Sequence, residues 1–443
     1  MDTLPLLPRP ALEQYRERAE ALVAAANSGN PDAVHQWADE WLTRLTQRLA
    51  ISVTPFVQHS FNRAMANLEE EARSRVAAAR ERGAEFALVD AQQLVARAHS
   101  YDTWTQFADE IDGLRQHAPT SEFERAADAI VDGDLATLEH LLTRHPGLVR
   151  ARSARTHHAT LLHYVAANGV EDFRQRTPPN AVAIATRLLE AGAEVDALAD
   201  TYGGGTAQTT MNLLVSSAHP AERGLQSALA DVLLDHGATI DGLDGNGSPI
   251  LTALAFGYRD AAETLARRGA RIANVVTAAA LGRLDLVREW VVDARTLTNH
   301  APYREGPYWV HIPDDATGQI EMALVWACKF GRTEVARWLL DRGVDPAAAD
   351  HDRMTALHWA AAGGLLDIMD LLLTARAPLE VRNVWGGTVL DSTVYFAMHQ
   401  PIAGADYPRV IDRLLEAGAD LRALEPSPTG IAAIDAVIQR YRG

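Results

Sequence analysis

The chain has 443 residues, 47% of them hydrophobic, enough for two or three ordinary domains or one extended array with a packed core, so disorder is not the default. Its 58 acidic residues against 41 basic ones give a formal net charge of −17, which excludes nucleic acid or an anionic membrane as the main partner, because phosphate binding needs a basic surface. One cysteine, Cys328, excludes an intramolecular disulfide and a cysteine-rich zinc site, and fits a reducing compartment.

The opening M-D-T-L-P-L-L-P-R-P lacks the basic and long apolar regions of a secretion signal. No uncharged apolar run approaches the roughly 20 residues of a membrane span, so a soluble cytoplasmic protein is expected. Residues 11–117 read as helices without strand-like alternation. Pro10 starts a helix through Asn27, N-S-G-N-P breaks it, and Pro31 opens a second helix toward Leu49. Pro55 ends the connection, and a third helix is predicted from about Ser60 to Arg82, with opposite charges three and four apart on a solvated face and Gly83 closing it. Residues 86–111 predict two short amphipathic helices joined at residues 100–102.

From about residue 122 a helix–turn–helix unit recurs. Its clearest copy is residues 355–377, T-A-L-H-W-A-A-A-G-G-L-L-D-I-M-D-L-L-L-T-A-R-A. Thr355 caps the first helix, Leu357 and Ala360 face its partner, Gly364 breaks the helix, and Leu371, Leu372 and Leu373 drive the second inward. Two short helices cannot bury an apolar face alone, so such units must stack on copies of themselves. Break glycines recur at Gly133, Gly169, Gly257, Gly282, Gly331 and Gly364, and Gly331 to Gly364 is a period of 33 residues. With T-A-L-H-W-A at 355–360 and T-L-L-H-Y-V at 160–165, the chain resembles the ankyrin repeat, although the proline of that pattern is absent from both tetrads. Elsewhere its threonine becomes Ser248, Ala273 or Met322.

The resemblance implies an all-α ankyrin-repeat solenoid with β-hairpin-type fingers. Eight irregular units are expected, at 122–154, 157–199, 207–243, 245–272, 273–318, 319–351, 352–384 and 385–424. The domain reading is an N-terminal helical capping region at 1–120, the array at 121–424, and a C-terminal capping helix at 425–443 containing I-A-A-I-D-A-V-I. The D-A-Q-x-L-V-A-R run near residue 90, followed by an aromatic-x-Trp, resembles a short helical motif that precedes such arrays in bacterial proteins. It implies no activity, only cover for the first repeat's apolar edge. His163 and His358 take the tetrad's histidine slot, where a structural role is expected, and Cys328 is expected to be inert core.

Insertions in repeat proteins map to loops on one face, often the binding face. Here they fall at 170–179, at 200–208 with Y-G-G-G, around His219 and Pro220, at 399–408, and in a long finger at 298–319. The sequence around 170 and the Y-G-G-G stretch resemble those of a group of bacterial ankyrin proteins, and no activity follows from that. In ankyrin folds the groove-facing positions of the first helices correspond here to Tyr164 and Asn168; Trp326, Lys329 and Phe330; Trp359; and Tyr395 and Phe396. With Tyr202, Tyr303, Tyr308 and Trp309 in the fingers they would form an aromatic concave strip, of residue types that dominate interface hot spots.

Two candidate chemistries fail on motif grounds. Y-G-G-G-T at 202–206 and G-L-D-G-N-G at 242–247 lack the strand and Gly-Lys-Ser/Thr of a phosphate loop, and both fall where hairpins turn. His157, His158 and His163 are poorly spaced for one helix face, so no metal and no cofactor is expected. No nucleophile signature appears. Arg174, Gln175, Arg176, Tyr202, His219, His311, Asp314, Asp315 and His399 nevertheless fall in fingers and inserts. The favoured reading is therefore an intracellular scaffold whose groove and fingers bind another protein with a basic or apolar surface. The alternative is a small-molecule pocket, with or without acid–base catalysis, formed by 170–179, 200–208 and 298–319. Enzymatic activity stays open. The site residues are Tyr164, Asn168, Arg174, Gln175, Tyr202, His219, Tyr308, Trp309, His311, Trp326, Lys329, Trp359 and Tyr395.

Overall fold

The computed structural model describes residues 2–7, 10–49, 55–116, 119–201, 207–243, 245, 248–298, 312–422, 424 and 428–442. It is mostly helical, and the chain divides into two compact units, residues 1–243 and 244–443. Among the described residues, no helix is long and apolar enough to cross a membrane.

The first unit begins with helices Leu12–Asn27, Ala33–Arg48, Pro55–Glu81, Leu88–Ala98 and Trp104–Gln116. The third starts at Pro55, a turn and a half earlier than the sequence suggests, because proline at a first helical position sacrifices an N–H that has no intrahelical partner anyway. These helices close on an aromatic core. Tyr15 stands edge-on to Phe107 at 4.9 Å, and the His99 ring stacks on Phe107 at 5.3 Å. His99 Nδ1 is 2.9 Å from the Leu4 carbonyl, and burial pushes its imidazole down to about 3, so it packs as a neutral ring.

Paired helices follow to the end of the chain, with Ala432–Arg442 last. The hydroxyls of Thr209, Thr355 and Thr388 accept the N–H three residues on, at 3.3, 3.3 and 3.2 Å. In two units the capping residue is not the one the sequence alignment selects. Asn274 rather than Ala273 accepts from Thr277 N–H at 2.8 Å, and Asp315 accepts from Gly318 N–H at 2.8 Å. Helix Ala316–Lys329 therefore starts inside the stretch assigned to the long finger, and Met322 is buried in its middle. A carboxylate or amide that reaches its own N3 amide outweighs the alignment slot.

Two short ribbons occur among the described residues. Leu198–Ala199 pairs antiparallel with Gln208–Thr209, and Val291–Asp293 with Thr296–Leu297. Gly364 breaks its helix with φ +69°, and a Cβ there would lie 2.7 Å from that of Ala405. The same unit ends its second helix not on glycine but on Arg376, held at φ +63°.

Candidate functional site

Two places concentrate chemistry, one in each unit. In residues 1–243 the inserted stretch after Gly169 forms a short 3-10 turn, Asp172–Arg174, whose side chains turn inward. Arg174 is 4% exposed and its guanidinium meets Glu124 at 2.8 Å, Glu171 at 3.2 Å and Asp128 at 2.8 Å. Arg155, 1% exposed, reaches Glu124 at 3.0 Å and Glu171 at 2.5 Å, and donates to the His99 carbonyl at 2.8 Å. His157 Nε2 lies 3.5 Å from Glu171. Tyr101 and Phe173 lie under the Arg155 guanidinium, and Tyr164 and Phe173 under that of Arg174.

The buried centre thus balances two guanidiniums against two carboxylates, with Asp128 exposed at the rim. Burial pushes both glutamates up, but Arg155 and Arg174 overcome it, holding Glu124 below the usual carboxylate range and Glu171 far below. A fully desolvated cluster with its charges matched in place contributes order when whole and is costly when one member is removed. It also joins segments distant in sequence. Ser60 donates to Asp172 at 2.7 Å, Thr156 N–H donates to the Ser100 carbonyl at 2.8 Å, and Phe173 packs into the core of the N-terminal helices. The insertion is therefore a clamp between the N-terminal helices and the first repeats.

This changes the reading of five sequence-predicted residues. Tyr164 is fully buried and Arg174 nearly so, so neither faces an open groove. Gln175 bonds within its own loop, to the Val170 carbonyl at 2.8 Å and Asp172 at 3.0 Å. Asn168 donates to Ser216 at 2.8 Å, between neighbouring repeats. His219 is half-buried in helix Ala218–Glu222, its imidazole lowered by burial. Tyr202, Tyr303, Tyr308, Trp309 and His311 lie outside the described residues, as do most of the 200–208 and 298–319 insertions. Among the described residues, no group of three or more His, Cys, Asp or Glu side chains could hold a metal ion.

In residues 244–443 three consecutive first helices, Ala316–Lys329, Ala356–Ala362 and Val389–His399, bring the predicted groove residues together. Trp326 and Phe330 lie 6.1 Å apart and are largely buried. Trp359 stands 6.3 Å from Phe396, which meets Tyr395 at 6.2 Å, and Tyr395 meets His399 at 4.7 Å. Tyr395 is 52% exposed. The Lys329 ammonium sits over three rings, 4.4 Å from Trp359, 5.7 Å from Phe330 and 5.9 Å from Trp326. Burial pulls this ammonium below its ordinary value, while Asp350 and Asp352 pull it back up.

His358 lies beneath the strip, its Nδ1 accepting the Thr355 N–H at 3.1 Å, and burial lowers it to about 4; His163 does the same at Thr160. Both close a capping box with the threonine before them, a structural use. Buried Cys328 has its thiol pushed up by desolvation, away from reactivity.

Sequence reasoning missed Glu124, Arg155 and Glu171, because nothing local marks Arg155 as the partner of carboxylates 31 positions before it and 16 after it. It also passed over Val384 and Trp385, 53% and 72% exposed at a turn where Asn383 Oδ1 accepts the Trp385 and Gly387 N–H groups at 3.0 Å. The apolar pair inside N-V-W-G-G was the available signal.

Residues 324–373, which carry most of this strip, match the family model described as ankyrin repeats (many copies). Among curated proteins the chain is similar to Serine/threonine-protein kinase 12 of Arabidopsis thaliana, 34% identical over 73 residues, which are 16% of either chain. It is similar to Potassium channel KOR2 of Oryza sativa subsp. japonica, 36% identical over 61 residues, 14% of this chain and 8% of that one. Human Cyclin-dependent kinase inhibitor 2A is 33% identical over 118 residues, 26% of this chain and 65% of that protein. The chain thus spans less than two thirds of each. Of the solved structures, the human ASB11 ankyrin repeat domain aligns with 67% of this chain and 98% of its own, at 19% identity and a TM-score of 0.32, too low to carry an argument.

Proposed function

We propose that this chain, whose mostly helical fold carries ankyrin repeats, is a protein-binding module that holds a segment of another protein along the strip of Trp359, Phe396 and Tyr395, backed by the buried rings of Trp326 and Phe330. The carrying observation is the continuity of that strip across three first helices, with Lys329 over the Trp359 ring at 4.4 Å joining the first to the second and the Trp359–Phe396 contact at 6.3 Å joining the second to the third. Repeat arrays present such extended surfaces for binding, and tyrosine and tryptophan lose little conformational freedom when they are covered. The net charge of −17 favours encounter with a partner that is basic or apolar overall. A cytoplasmic setting belongs to the same proposal.

The small-molecule alternative gains no support from residues 170–176, because Glu171 and Arg174 are taken up by the ion cluster, Asp172 by Ser60, Gln175 by its own loop and Arg176 by Asp132. The test is selection of a phage-displayed random peptide library on the full chain. Selected peptides should lose at least about tenfold in affinity on Tyr395→Ala, with the melting curve nearly unmoved. Peptides indifferent to Tyr395→Ala and Trp359→Leu would overturn the reading.

A further inference from the structure

Among the described residues the strip holds one lysine or arginine, Lys329, and it is the only lysine among the chain's 41 lysine and arginine residues. Many of the arginines have carboxylate partners, as Arg332 has Glu263 at 2.6 Å and Arg413 has Asp370 at 2.6 Å. The Lys329 ammonium has none within ion-pair or hydrogen-bond reach among the described residues. Its companions are the three rings, whose faces attract its charge but do not serve its N–H donors as a carboxylate would.

The neighbouring carboxylates are committed elsewhere. Asp350 Oδ2 accepts the Trp359 indole N–H at 2.8 Å, and Oδ1 accepts the N–H groups of Met354 and Asp352 at 2.9 and 3.1 Å. Asp352 Oδ2 lies 3.4 Å from His351 Nε2, and no ion pair joins it to Lys329. In the free chain Lys329 is only partly buried, so its donors can turn to solvent. A segment lying on Trp359 and Phe396 strips that water away, and a desolvated ammonium without an acceptor is strongly unfavourable. A basic side chain there adds repulsion, and a purely apolar one leaves the donors dry.

We infer that the bound segment carries an aspartate or glutamate that seats its carboxylate on Lys329, flanked by aromatic or aliphatic residues that stack on Trp359 and Phe396. This rests on the groove-binding reading above. It concerns contact rather than approach: net charge acts at long range, whereas the charge-assisted hydrogen bond acts at the strip.

The experiment uses C-terminally amidated peptides selected on the full chain that depend on Tyr395. Replacing their acidic residue by its amide, or Lys329→Met in the protein, should each weaken binding about tenfold or more, and the two together should cost little more than either alone. Lys329→Arg should retain most of the affinity. Peptides that need Tyr395 but change less than twofold on both the amide replacement and Lys329→Met would overturn the inference and leave the groove reading standing. Peptides that bind only with a free C-terminal carboxylate would also overturn it. If no selected peptide depends on Tyr395, both readings fall. Should Lys329→Met not fold, the amide-replaced peptides still decide the question against the unaltered protein.

Discussion

The ion cluster of residues 1–243 and the aromatic strip of residues 244–443 use similar components, cations laid over aromatic rings, for opposite ends. In the cluster, Arg155 and Arg174 are sealed in, each with carboxylates at 2.5–3.2 Å, so their charges are matched inside the fold. In the strip, the Lys329 ammonium has rings but no carboxylate within ion-pair reach among the described residues, and Tyr395 at the other end of the strip is half exposed. A cation with its partners built in stabilises a fold, and a cation without them is a point where a partner can add something.

The sharpest way to break this contrast is to unbalance the cluster. Arg155→Met leaves Glu124 and Glu171 short of a partner in a dry interior, and should destabilise residues 1–243 by roughly 3–5 kcal/mol. Denaturant unfolding would measure it, with hydrogen exchange assigning the loss to that unit. A change under about 1 kcal/mol would show the cluster to be wetter than its burial indicates.

Acid should act next, through the histidines before the carboxylates. His99, His163 and His358 are held near 3, 4 and 4 by burial, below their ordinary value of about 6.5. The unfolded chain then binds more protons, so stability falls as pH drops from about 6.5 toward 4, by at most about 1.4 kcal/mol per pH unit for each. Glu124 and Glu171 have depressed values, so their contribution stays whole above about 4.3 and is lost only as pH falls further. Urea midpoints at pH 7 and pH 5 should differ, the more so in residues 1–243, which hold two of these three histidines. Equal midpoints would contradict it.

Smaller effects separate scaffold from surface. Arg376→Gly relieves a left-handed residue on an exposed turn, and thermal unfolding should show a gain of about 0.5–1 kcal/mol. Tyr395→Ala should move stability by less than about 0.5 kcal/mol while removing peptide binding.

The repeats were legible in the sequence because their signals are local. Capping threonines, break glycines and leucine runs recur at fixed offsets, and Trp326, Lys329, Phe330, Trp359, Tyr395 and Phe396 fall at the offsets that the resemblance to ankyrin folds assigns to the groove, so their convergence was readable from period and resemblance together. The cluster was illegible for the opposite reason. Arg174 looked like a finger residue because an insertion reads as a surface loop, and only the fold shows that Glu124 and Arg155 await it. Caps were misread at Ala273 and Met322, where hydrogen-bonding capacity at Asn274 and Asp315 overrode the aligned slot.

The most direct test of the assignment of clamp to one unit and binding to the other is hydrogen–deuterium exchange of the full chain with and without a Tyr395-dependent peptide. Slowed exchange across helices Ala316–Lys329, Ala356–Ala362 and Val389–His399, with residues 170–176 unchanged, is the predicted result. Protection confined to residues 1–243 would contradict it.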